Sequence, residues 1–90
     1  MEAGNFKDAL SLLEKSLKMN KQVMGEDHHS NCLIYTAMSH VHQRLKDFET
    51  ATNLLFQVWE VYQAQFGASS PEVGRAYLEL AQVHMKKKDF

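Results

Sequence analysis

Laid against itself with an offset of 42 residues, the chain meets its own residue at 11 of 48 positions, where average composition gives about three. Phe6, Phe48 and Phe90 are in phase, as are Ala9 with Ala51, Leu12 with Leu54, Leu13 with Leu55 and Gly25 with Gly67. Tyr35 matches Tyr77, Val41 matches Val83, His42 matches His84, and Lys46-Asp47 matches Lys88-Asp89. These are residue types that fill cores, close turns or mark boundaries. A period of this length is the signature of a unit that buries its apolar face against the next unit. One proline and four glycines in 90 residues leave almost all of the chain free to be helical, so the expected fold class is all-α.

Apolar spacing divides each period into two helices. Phe6, Leu10, Leu13, Leu17 and Met24 share one face, and Leu12, Met19 and Val23 an adjacent one, which predicts a helix covered from two sides. Gly25 and Gly67 each supply the positive φ usual just past a helix end. In the second period Ser70 is placed to cap a new helix, and Pro71 suits its first turn because no N–H is needed there. The inward faces of the following helices are expected to be Ile34, Met38, Val41 and Leu45, and Val73, Ala76, Tyr77, Leu80 and His84. A turn at Lys46-Asp47 leads into Phe48, Ala51, Leu55, Val58, Tyr62 and Phe66. Helices are predicted over 5–24, 29–44, 47–66 and 71–87.

Ten Lys and Arg against eleven Asp and Glu give a net charge of −1, which withholds the electrostatic attraction that brings proteins to nucleic acid or anionic lipid. No apolar run is long enough for membrane insertion, and residues 1–20 lack the apolar core of a secretory signal, so a cytoplasmic protein is expected. Cys32 is the single cysteine and cannot form an internal disulfide.

Gly-Asn-Phe-Lys-Asp-Ala-Leu at 4–10 and Lys-Asp-Phe-Glu-Thr-Ala-Thr at 46–52 resemble the entry to the second helix of a tetratricopeptide repeat. Gly25-Glu26-Asp27-His28 resembles the Gly-Glu-Asp-His that opens the 42-residue repeats of kinesin light chains, with a degenerate copy at 67–71. Tyr35, Met38, Ser39 and His42, and then Tyr77, Leu80, Ala81 and His84, fall on the family's Trp-x-x-Leu-Gly-x-x-Tyr positions. The resemblance implies antiparallel helix pairs stacked as a segment of a right-handed solenoid. Residues 1–28 would end one repeat, 29–70 complete a second and 71–90 begin a third. It also implies a binding scaffold, with ciliary or cytoskeletal association in some members. Val58 stands where the family prefers a small residue, implying wider helix spacing there. The asparagines with which many relatives hold a peptide are replaced by Ala37 and Glu79, which disfavours a carboxylate clamp of the chaperone type. Open ends, Phe90 included, imply either neighbouring repeats in a longer array or self-association.

In the family the polar face of each first helix lines a concave groove. Here that face holds Thr36, His40, Gln43 and Arg44, and one period on Leu78, Gln82, Met85 and Lys86, with Arg75 a turn earlier. Arg44, Arg75 and Lys86 beside Leu78 and Met85 suit a protein or peptide ligand, acidic with an apolar or aromatic anchor. The plainer reading makes Arg44 and Lys86-Lys87-Lys88 solvated helix ends favoured by the macrodipole.

His28-His29 and His40/His42 lack the i, i+4 spacing of a helical metal clasp, so no metal and no cofactor are expected. His42 and His84 recur in one slot and read as scaffold, whereas His40 alone lies on the groove face, where its charge can change near neutral pH. Cys32 sits near a helix start but lacks an orienting base, and Trp59 with Phe56 and Tyr62 reads as packing. No phosphate loop, carboxylate pair or Ser-His-Asp set is present, and no enzyme is expected. The alternatives to a docking scaffold are a self-assembly unit or an interaction module attached to an enzyme.

Overall fold

The computed structural model describes residues 3–88, which form four helices: α1 (Ala3–Met24), α2 (Asn31–Arg44), α3 (Phe48–Phe66) and α4 (Pro71–Lys88). No strand occurs among the described residues.

The helix ends follow the local chemistry. Gly25 (φ +110°) and Gly67 (φ +91°) donate their N–H groups to Lys21 and Gln63 at 3.0 and 3.1 Å, satisfying carbonyls that the helix leaves over. Ser70 Oγ accepts the N–H of Val73 at 3.3 Å, and Pro71 opens α4. Between α2 and α3 the chain turns through Lys46 at φ +65°, and Asp47 caps α3 by accepting the Thr50 N–H at 3.3 Å. The hydrogen bonds around Asp47 hold its carboxyl below the usual carboxylate range; the Thr50 bond is the main cause and the adjacent His42 a smaller one.

Four boundaries depart from expectation by one or two residues: α1 begins at Ala3, not 5, α3 at Phe48, not 47, α4 ends at Lys88, not 87, and α2 begins at Asn31, not 29. Residues 28–30 are drawn into a tighter turn, with Asn31 and Cys32 donating to the carbonyls of His28 and His29 at 3.1 and 3.0 Å. A fully buried side chain pins it. Asn31 Nδ2 donates to the carbonyls of Gly25 and Glu26 at 3.1 and 3.0 Å, and its Oδ1 accepts from Asn20 at 2.7 Å.

Packing runs in chain order, α1 on α2, α2 on α3 and α3 on α4. Cys32 and Ser39 on α2 face the backbone carbonyls of Val58 and Ala51 on α3 at 3.9 and 3.1 Å, so 32 meets 58 and 39 meets 51, as antiparallel helices require. Cys32, Tyr35, Val58 and Ala76 form one core cluster, with Leu17, Leu54, Trp59, Val61 and Tyr62 against it. Ala51, Leu55 and Val83 form another, flanked by Phe48 and Leu80. The cores therefore straddle α3. Phe6 is buried and Phe48 half-buried, while Phe90 lies outside the described residues. Extents of 36 × 31 × 16 Å describe a slab of stacked helices, not a closed bundle.

Several residues expected inward are exposed. Leu12, Met19, Val23 and Met24 stand in the open because, among the described residues, α1 packs on α2 and meets no helix on its other side. Tyr77 and His84 are exposed because, among the described helices, α4 packs on α3 alone, and Leu45 and Phe66 because they lie at helix ends.

Candidate protein-docking site

Because α2 and α4 are each antiparallel to α3, they run parallel to one another and their in-phase faces lie side by side. Two polar contacts bridge them. His40 Nε2 lies 3.2 Å from Glu79 Oε1, and Lys86 Nζ donates to Gln43 Oε1 at 3.0 Å. The groove between the helices holds two shallow depressions that share His40.

The first, of about 350 Å³, is lined by Leu33, Thr36, Ala37 and His40 from α2, Arg75, Ala76 and Glu79 from α4, and Tyr62 from α3 as its floor. Burial raises the Tyr62 phenol above its ordinary pKa, so at neutral pH it is an uncharged donor beneath the groove. Arg75 and Glu79 make this end mixed in charge. The second depression, of about 540 Å³, is lined by His40, Gln43, Arg44, Lys46, Phe48 and Lys86. Its lining combines basic residues from α2, the turn and α4 with an aromatic residue, and among the described residues it includes no carboxylate.

The structure thus brings Thr36, His40 and Arg75 to one depression and His40, Gln43, Arg44 and Lys86 to the other. Leu78, Gln82 and Met85 are exposed on α4 and line neither. Spacing alone overlooked Glu79, Lys46, Phe48 and Leu33. Glu79 was legible as the acid one helical turn after Arg75, and Lys46-Phe48 as the turn that closes the groove's end. A further depression of about 500 Å³ opens between α1 and α3, where Glu26, Asp27, Glu60 and Lys21 surround Tyr35. Lys21 Nζ lies 5.7 Å from the Tyr35 ring centre, a cation–π contact, and Gln65 donates to the Asp27 carbonyl at 2.7 Å.

Cys32 has no exposed surface, and burial pushes its thiol up to about 11, the opposite of an activated nucleophile. Trp59 meets Phe56 of its own helix edge-on at 5.6 Å and Tyr77 at 5.7 Å, the latter being packing between α3 and α4. Among the described residues no helix is long and apolar enough to cross a membrane.

The family model described as tetratricopeptide repeat matches residues 1–58. Protein-lysine N-methyltransferase SMYD4 of Danio rerio is 27% identical over 89 residues, a match that covers 99% of this chain but 12% of that protein. No solved structure matches significantly.

Proposed function

Since the chain belongs to the tetratricopeptide repeat family, whose repeats are non-catalytic protein-interaction modules, we propose that the groove between α2 and α4 receives an acidic protein segment carrying an apolar or aromatic anchor. The observation behind this reading is the second depression, which Arg44, Lys86 and Phe48 line together, with no carboxylate in the lining among the described residues. An acidic side chain of the ligand is steered to Arg44 and Lys86, and its anchor packs beside Phe48. The other end of the groove, where Glu79 stands beside Arg75, discriminates against a ligand that is acidic throughout. Leu78 and Met85 on the exposed surface of α4 extend the apolar contact.

The test is titration of acidic peptides, with and without an aromatic residue, against the chain at rising salt. Affinity falls as salt rises, and Arg44→Glu weakens binding by about tenfold, the order expected for a reversed charge at a polar contact. Arg75→Glu, next to Glu79, has a smaller effect. Binding that ignores salt and both reversals refutes the groove assignment.

The similarity to a lysine methyltransferase favours a second reading, in which this segment is the interaction module of a larger enzyme and holds a protein substrate for chemistry performed elsewhere. The full reading frame around these 90 residues decides it by the presence or absence of a catalytic domain.

A further inference from the structure

We propose that His40 makes the groove's hold on an acidic ligand depend on pH, one ring nitrogen turning from acceptor to donor as the solution is acidified; this rests on the groove receiving an acidic segment. His40 lines both depressions, so it stands where a ligand passes from one to the other. Its contact across the groove assigns its protons. An ionised carboxylate only accepts, so His40 Nε2, 3.2 Å from Glu79 Oε1, carries a hydrogen and donates it. In the neutral ring Nδ1 is then the bare nitrogen and the atom that gains the proton in acid. The side chain is 60% exposed, and Nδ1 makes no hydrogen bond among the described residues.

Neutral ring and imidazolium make the same Nε2 contact, so Glu79 holds the ring in place throughout and the change is confined to Nδ1. There a lone pair that repels a carboxylate becomes an N–H that donates to one, with a positive charge behind it. The surrounding groups set the sign of the effect. Arg44 stands one turn on along α2, Arg75, Glu79 and Lys86 face the ring from α4, and Lys46 lies in the turn. Tyr62 of α3, raised above its ordinary pKa, stays uncharged from neutral pH into acid. Four basic residues against one carboxylate already favour an anion, and the imidazolium offsets Glu79, the charge that opposes an acidic ligand. His42, two residues on, faces Asp47 at 3.3 Å and lines neither depression.

The experiment measures the affinity of the chain for a synthetic peptide with blocked ends, aspartates around one phenylalanine. It spans about pH 8 to about pH 5.5, where histidine changes charge and aspartate stays ionised. The parent is expected to bind about fivefold tighter at the acid end, the effect of one charge added at a wet site. His40→Gln keeps a donor for Glu79 and takes no charge, so it is expected to hold the parent's weaker, alkaline affinity throughout, with circular dichroism confirming that both stay helical. Calorimetry in two buffers of different ionisation enthalpy is expected to show the parent taking up protons as it binds and the variant taking up none. The same pH dependence in parent and His40→Gln assigns the effect to another group and overturns the proposal. A parent whose affinity ignores pH, or weakens in acid, overturns it too, and the groove reading survives if binding still falls with salt and with Arg44→Glu. Absence of binding at every pH removes both.

Discussion

The turns from α1 to α2 and from α3 to α4 occupy the same place in the period, and they are closed by different chemistry. Both begin with a glycine at positive φ whose N–H returns to the helix just ended. Beyond that point they diverge. In the first, the buried Asn31 gathers the Gly25 and Glu26 carbonyls and the Asn20 amide, and the Ser30 N–H meets His28 Nδ1 at 3.1 Å. In the second, Val73 takes the slot of Asn31, and a serine cap with a proline starts the helix two residues earlier in phase. A repeat therefore dictates the path of the backbone at a turn and leaves open whether a buried amide or a local cap holds it.

The most severe way to break this comparison is to give the first turn the chemistry of the second. Asn31→Val strands two carbonyls and an amide without supplying the cap, and it is expected to cost about 2–3 kcal/mol in urea unfolding. Replacing either glycine addresses what the turns share. Gly25→Ala and Gly67→Ala force a side chain into the same backbone region and should each cost about 1–2 kcal/mol, with similar shifts of the thermal midpoint. Markedly unequal losses would mean that the turns differ in backbone as well as in chemistry. Ser70→Ala removes only the local cap, at about 1 kcal/mol. The turn between α2 and α3 gives the smallest effect, through pH. The folded state holds the Asp47 carboxyl below its ordinary value, so its contribution is present above the ordinary carboxylate pKa and fades as pH falls through the lowered one. Asp47→Asn should flatten that acid limb by lowering stability at neutral pH toward the level the parent has in acid, with little change below the lowered pKa.

Much of this was legible in the residues. The 42-residue phase located both positive-φ glycines and the buried Phe6, Ala51, Leu55 and Val83, while cap chemistry located the Ser70-Pro71 start and helical spacing the buried Met38, Val58, Val73 and Ala76. Asn31 was not legible, because an asparagine reads as surface until its partners are known, and those partners are backbone groups to which the pattern is blind. Leu12, Met19 and Tyr77 were misread for a different reason. Periodicity reports which face a helix would bury, not whether a neighbour is there to bury it. The groove was half legible: spacing put Thr36, His40, Gln43 and Arg44 on one face, but only parallel packing of α2 and α4 brings Glu79 to His40 and separates Arg75 from Arg44.

The sole thiol has Tyr35 of its own helix, Val58 of α3 and Ala76 of α4 as its core neighbours. A reagent can reach Cys32 only after that junction parts, so its modification rate is a clock for helix separation. If the stack frays from its ends one helix at a time, the clock runs faster than global unfolding. If the helices part together, the two rates coincide, and a single atom reports how cooperatively the slab comes apart.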